Sequence, residues 1–156
     1  MRKLSLLLVF LMTTLIGFSQ TNLIVMNNEL TKEYFKDYVS SAFDRGYDVQ
    51  NELLEKIEYI IIVSDEFPIS ELGKYDSEMK LITLDSKVTV DRLILKIVLY
   101  RELSNILGVP YNEGSVIMNS HQLDGFSYSA FDDIDIMDIE LSKIFTYLDN
   151  TPNFRR

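Results

Sequence analysis

Tyr100-Arg101-Glu102-Leu103-Ser104-Asn105-Ile106-Leu107-Gly108-Val109-Pro110-Tyr111, followed closely by Gly114-Ser115-Val116-Ile117-Met118, is the stretch on which the fold turns. Its first half closes a helix. Leu93, Ile94, Ile97, Val98 and Leu99 lead through to Leu103, Ile106 and Leu107 at helical spacing, which predicts a long helix from Val90 to Leu107. Ser86 to Asp91 offer residues able to cap its start. Gly108 supplies the left-handed residue that ends it, and Pro110 prevents its resumption. Within this helix Arg101 and Asn105 stand four residues apart and so share a face.

Outward from the helix, Lys80-Leu81-Ile82-Thr83-Leu84-Asp85 alternates well enough to predict a strand with one wetter face. Ile57-Glu58-Tyr59-Ile60-Ile61-Ile62-Val63 is β-branched and aromatic, which predicts a buried strand bounded by Ser64 and Asp65. Between the two, Pro68, Gly73 and Asp76 read as a loop. Upstream, Leu30, Tyr34, Phe35, Tyr38, Val39, Ala42 and Phe43 predict a helix with Thr31 as N-cap and Gly46 at its end. Asn51 to Lys56 adds a short helical turn. Downstream, Ser115 to Asp132 is irregular by composition. Met137, Leu141, Ile144, Phe145 and Leu148 then form a last amphipathic helix. Helix, strand, strand, long helix, turn and helix make one α+β domain, with no internal repeat and no linker-like tract.

The start of the chain reads as an export signal. Arg2 and Lys3 precede a nearly continuous apolar run from Leu4 to Ile16, and Gly17-Phe18-Ser19 ends in residues a signal peptidase accepts. The expected organisation is therefore a signal peptide over 1–19 and one domain over 20–156, secreted to the periplasm or the medium. The apolar run falls short of the ~20 residues of a spanning helix, so no transmembrane anchor is expected. With no cysteine there is no lipidated cysteine, no disulfide framework and no thiol nucleophile. A net charge of −9 makes this an acidic protein that repels phosphate backbones, which argues against nucleic acid as a partner.

The opening stretch resembles the metzincin-like zincin pattern of zinc metallopeptidases, His-Glu-x-x-His-x-x-Gly-x-x-His followed by a methionine turn. Glu102, Gly108 and Met118 fall on family positions, whereas Arg101, Asn105 and Tyr111 occupy the three histidine positions. The resemblance implies a zincin-like α+β fold of the compact, exported bacterial type. In that fold a small sheet packs on the long helix that carries the first two ligands, with helices before and after. It also implies a metal-binding site whose ligands have been lost, that is, a degenerate HExxH motif.

The chemistry of that site needs three neutral imidazoles around zinc, an open position for water, and a glutamate to take the water's proton. Arg101 is permanently charged and has no lone pair to give. Asn105 offers only a carbonyl oxygen, which suits calcium better than zinc. Tyr111 could ligate only as phenolate. Glu102 occupies the general-base position, but without a metal-polarised water that role lapses. No zinc and no catalysis are therefore expected. Arg101, Asn105 and Tyr111 would instead form a polar cluster beside Glu102, itself read as a helix-surface or cleft carboxylate, and a cation in the cleft could meet a peptide carboxylate.

The expected function is that of a pseudoenzyme, a metallopeptidase-like domain retained for binding a peptide or protein segment in its cleft. Leu81 to Asp85 would be the strand against which that segment pairs. Two other readings stay open. A divergent active zinc metallopeptidase would recruit Glu102, His121 and acids from elsewhere; an unrelated exported α+β binding or structural protein would carry the pattern by coincidence. His121, the single histidine, cannot build a zinc site alone. Asp132, Asp133, Asp135 and Asp138 lack the glycine turn and regular alternation of a calcium loop, and read as acids favouring the start of the last helix.

Overall fold

Residues 23–64, 67–68, 71–111, 115–118 and 134–149 are described by a computed structural model of the chain. The signal-peptide reading over 1–19, together with His121, Asp132 and Asp133, lies outside the described residues. The strands are β1 (Val25–Met26), β2 (Tyr59–Val63), β3 (Gly73–Asp76) and β4 (Leu81–Asp85). They form one mixed sheet in the order β1-β2-β4-β3, in which β1, β2 and β4 are parallel and β3 runs antiparallel to β4. The helices are α1 (Glu29–Asp44), α2 (Gln50–Lys56), α3 (Arg92–Ile106) and α4 (Ile134–Leu148), with a 3-10 turn at Ser86–Val90. This is the α+β class expected. Among the described residues no helix is long and apolar enough to cross a membrane.

Three expectations about the sheet are corrected. β4 is hydrogen-bonded on both sides, and Ile82, Thr83, Leu84 and Asp85 are all buried, so it has no wet face. It cannot receive a peptide either, because both of its edges are used. Among the described residues, the sheet edge next to the long helix belongs to β3, in the segment expected to be a loop. Its glycine and aspartate are turn-forming types, but pairing with β4 supplies what local propensity does not. Asp76 Oδ1 accepts from Glu78 N and Met79 N to close the β3–β4 hairpin, with Lys80 in the left-handed region at φ 50°. The two-residue strand β1 carried no alternating signal long enough to read.

α3 is the centre of the molecule. Asp91 caps it by accepting from Leu93 N, and every residue from Ile97 to Ser104 is buried. Such a helix is covered all round, not amphipathic. The sheet covers one side. On another, Tyr38 of α1 stands edge-on to Tyr100, with ring centres 5.0 Å apart, and pairs its hydroxyl with Ser104 Oγ at 2.8 Å. Phe145 of α4 completes the aromatic group, 5.3 Å from Tyr38. α1 begins one turn earlier than expected: Asn28 is the N-cap, accepting from Leu30 N and Thr31 N, and Thr31 is buried within the first turn.

The exit from α3 decides where the site lies. Gly108 N donates to Asn105 O and Val109 N to Ser104 O, with Gly108 at φ 96°, which is the paired-bond termination that glycine permits. It turns the chain back along the helix, so that Tyr111 returns to the face bearing Asn105.

Candidate functional site

Arg101, Asn105 and Tyr111, the residues read at the histidine positions of the zincin pattern, come together with Glu102. Asn105 Nδ2 donates to Tyr111 OH at 3.0 Å, and Tyr111 OH donates to Glu102 Oε2 at 2.9 Å. Arg101 Nε donates to Glu102 Oε1 at 2.9 Å and Nη2 lies 2.8 Å from the same oxygen. Nη2 also reaches Gly73 O of β3 at 3.3 Å. The Arg101 guanidinium stands 5.8 Å from the Tyr111 ring centre. A polar cluster was expected, but Glu102 was not expected to be its buried centre: its side chain is 0% exposed and that of Arg101 only 9%. No buried side-chain polar atom among the described residues lacks a partner.

Burial pushes the Glu102 carboxyl above its ordinary 4.5; Arg101 and the Tyr111 hydroxyl pull the other way without overcoming it. Burial and the neighbouring Glu102 push the Tyr111 phenol far above its usual range. Tyr111 is therefore a protonated donor and not a phenolate ligand.

These side chains do not fit a catalytic zinc. The first position holds a cation, the third a neutral phenol, and the glutamate that would face a metal-bound water is turned onto Arg101. Like-charge repulsion would oppose a dication beside the guanidinium. Among the described residues no group of three or more histidine, cysteine or acidic side chains is placed to hold a metal.

Beside the cluster lies a cleft of about 260 Å³ between β3 and the end of α3, lined by Glu71, Gly73, Lys74, Tyr75, Asn105 and Tyr111, with Arg101 at its inner wall. Gly73 is what lets the strand and helix approach. A Cβ there would lie 2.9 Å from both Leu84 Cδ2 and Val98 Cγ1, two fully buried side chains, and 3.6 Å from Glu102 Cγ. Gly73→Ala is expected to destabilise the fold by about 1–3 kcal/mol through overpacking, read by chemical denaturation. A loss under about 0.5 kcal/mol would mean that β3 lifts off the helix freely.

Ser115–Met118, the segment read as a methionine turn, forms a buried turn. Met118 N donates to Ser115 O at 3.1 Å, and Met118 and Ile117 are wholly buried. Glu140 of α4 secures it, accepting from Ser115 Oγ at 2.8 Å and Val116 N at 2.6 Å, with Lys143 Nζ at 2.5 Å on its other oxygen. Burial opposes ionisation of Glu140, but these hydrogen bonds outweigh it and hold the carboxyl below its usual range. Glu140 was missed in the sequence, yet it sits between Met137, Leu141 and Ile144 on the inward stripe of its helix, where an acid needs a partner. Of the acids considered for calcium, Asp138 is exposed and ion-paired with Arg45; the side chain of Asp135 and all of Asp132 and Asp133 lie outside the described residues.

Comparison of the chain with protein-family models, with characterised proteins and with solved structures finds no match.

Proposed function

We propose that this chain is an exported, zincin-like domain that works without metal, a pseudopeptidase whose cleft binds an extended peptide segment along the outer edge of β3. The observation that carries the reading is the Arg101–Glu102 pair. The positions corresponding to a metal ligand and its general base hold a buried, mutually neutralising cation and anion, beside an intact cleft. Three further features support it: a sheet packed on the helix that bears these positions, a glycine-terminated exit that returns Tyr111 to them, and the buried turn at Met118. The peptide pairs with β3, not with β4, because among the described residues β3 is the edge strand beside the cleft. Glu102, which a divergent peptidase would recruit, is engaged on one oxygen by Arg101 and on the other by Tyr111. The Arg101 cation is likewise matched within the protein, so it is not the receptor for a peptide carboxylate.

Elemental analysis of the purified mature protein tests the reading. Zinc well below one ion per chain is expected, with no hydrolysis of unstructured protein. Equimolar zinc, removed by chelator together with a peptidase activity, overturns it.

A further inference from the structure

The bond from Arg101 to Gly73 O falls on a particular group of the free edge. Asp85 N donates to Leu72 O, and Gly73 is the next residue of an antiparallel pair in register with Leu84. Because antiparallel ladders alternate, the Gly73 carbonyl faces away from β4, toward the edge where an added strand would bind. That carbonyl is taken by Arg101 Nη2 at 3.3 Å. The guanidinium is held there by Glu102 Oε1, whose other carboxylate oxygen holds Tyr111 from beyond the helix end. One run of hydrogen bonds thus ties edge strand, helix and returning chain together.

We infer that the Arg101–Glu102 pair is an intramolecular latch that occupies the edge carbonyl of β3 and closes the strand to pairing at Gly73. In its role as guard, the inference rests on the reading of β3 as the edge that receives a peptide. An extended chain pairing across Gly73 must displace the guanidinium, while pairing from Tyr75 onward leaves it in place. Arg101 is suited to this because its planar fork serves Glu102 and Gly73 O at once. A lysine ammonium could keep the ion pair, but as a compact point charge on a flexible stem it would not hold both partners in the same geometry.

Arg101→Lys separates the two bonds while keeping the charge, and so avoids stranding Glu102. Hydrogen exchange should show the amides of β3 exchanging about tenfold faster in this variant, with those of β2 unchanged. A terminally blocked octapeptide of alternating threonine and valine serves as the probe, and the variant should bind it about tenfold more tightly than the unaltered protein. Unchanged exchange in β3 overturns the latch whatever the probe does. Equal probe affinity for both proteins overturns its role as a guard. Faster exchange with no probe binding by either protein supports the latch as a tie and overturns the peptide reading.

Discussion

Arg101→Met is expected to cost about 3–5 kcal/mol of folding free energy, because it leaves Glu102 as a buried carboxylate without its cation. Among the described residues, Glu102 then keeps the Tyr111 hydroxyl at 2.9 Å. Removing both charges behaves differently. Arg101→Met combined with Glu102→Met places apolar volume where the pair was, and breaking a pair costs far more than replacing it. The double variant should therefore stand within about 1–2 kcal/mol of the unaltered protein. Denaturant unfolding of all four members of the cycle measures this, and a single-variant loss below about 1 kcal/mol would show that Glu102 is not sealed from water.

The pH dependence has a definite sign. Burial holds the Glu102 carboxyl above its ordinary 4.5, so the folded chain binds that proton more tightly than the unfolded chain does. A raised carboxyl favours folding below the unfolded value, and that advantage is lost as pH rises through the folded value. Arg101 is the largest influence pulling the carboxyl down, so Arg101→Met raises it further and widens the window. The gap in stability between Arg101→Met and the unaltered protein should therefore grow from about pH 5 to about pH 8. A gap that stays flat over that range would assign the loss to packing of the arginine stem instead.

What the sequence made legible follows from which forces act locally. The long helix and its stop at Gly108 are set by periodicity and by a glycine in the left-handed region, and these were readable, whereas the return of Tyr111 to Asn105 was expected only from the family resemblance. β3 was not, since a strand of glycine, lysine, tyrosine and aspartate exists only because β4 pairs with it. The place of β4 inside the sheet was equally hidden, as nothing local in Leu81–Asp85 says that both edges are taken. The burial of Glu102 had a signal. It falls on the apolar stripe of Leu95, Val98, Leu99, Leu103 and Ile106, all buried. What concealed it was its partner: adjacent helical residues point in different directions, so an Arg101–Glu102 pair is not expected from spacing. Here the long arginine side chain closes back along the helix toward β3, which only the tertiary structure could reveal.

Replacing Arg101, Asn105 and Tyr111 together with histidine is expected to create a zinc site at one ion per chain, with a dissociation constant below about 1 μM, or roughly 8 kcal/mol of binding. Arg101 and Asn105 share one face of α3, and Tyr111 already reaches Asn105 at 3.0 Å, so three imidazoles would meet with a fourth position open. The electrostatics favour it as well. The triple variant leaves Glu102 without its guanidinium, and the metal-free form should be weakened much as Arg101→Met is; a bound dication then supplies the missing positive charge. Zinc at about a thousand times its dissociation constant adds about 4 kcal/mol by mass action. Thermal unfolding with and without zinc reads this directly: a large zinc-dependent rise for the triple variant, none for the unaltered chain, and full reversal by chelator. A triple variant that folds yet shows no zinc-dependent rise would mean that the three positions do not converge on one point, which would remove the basis for likening this cleft to a peptidase site.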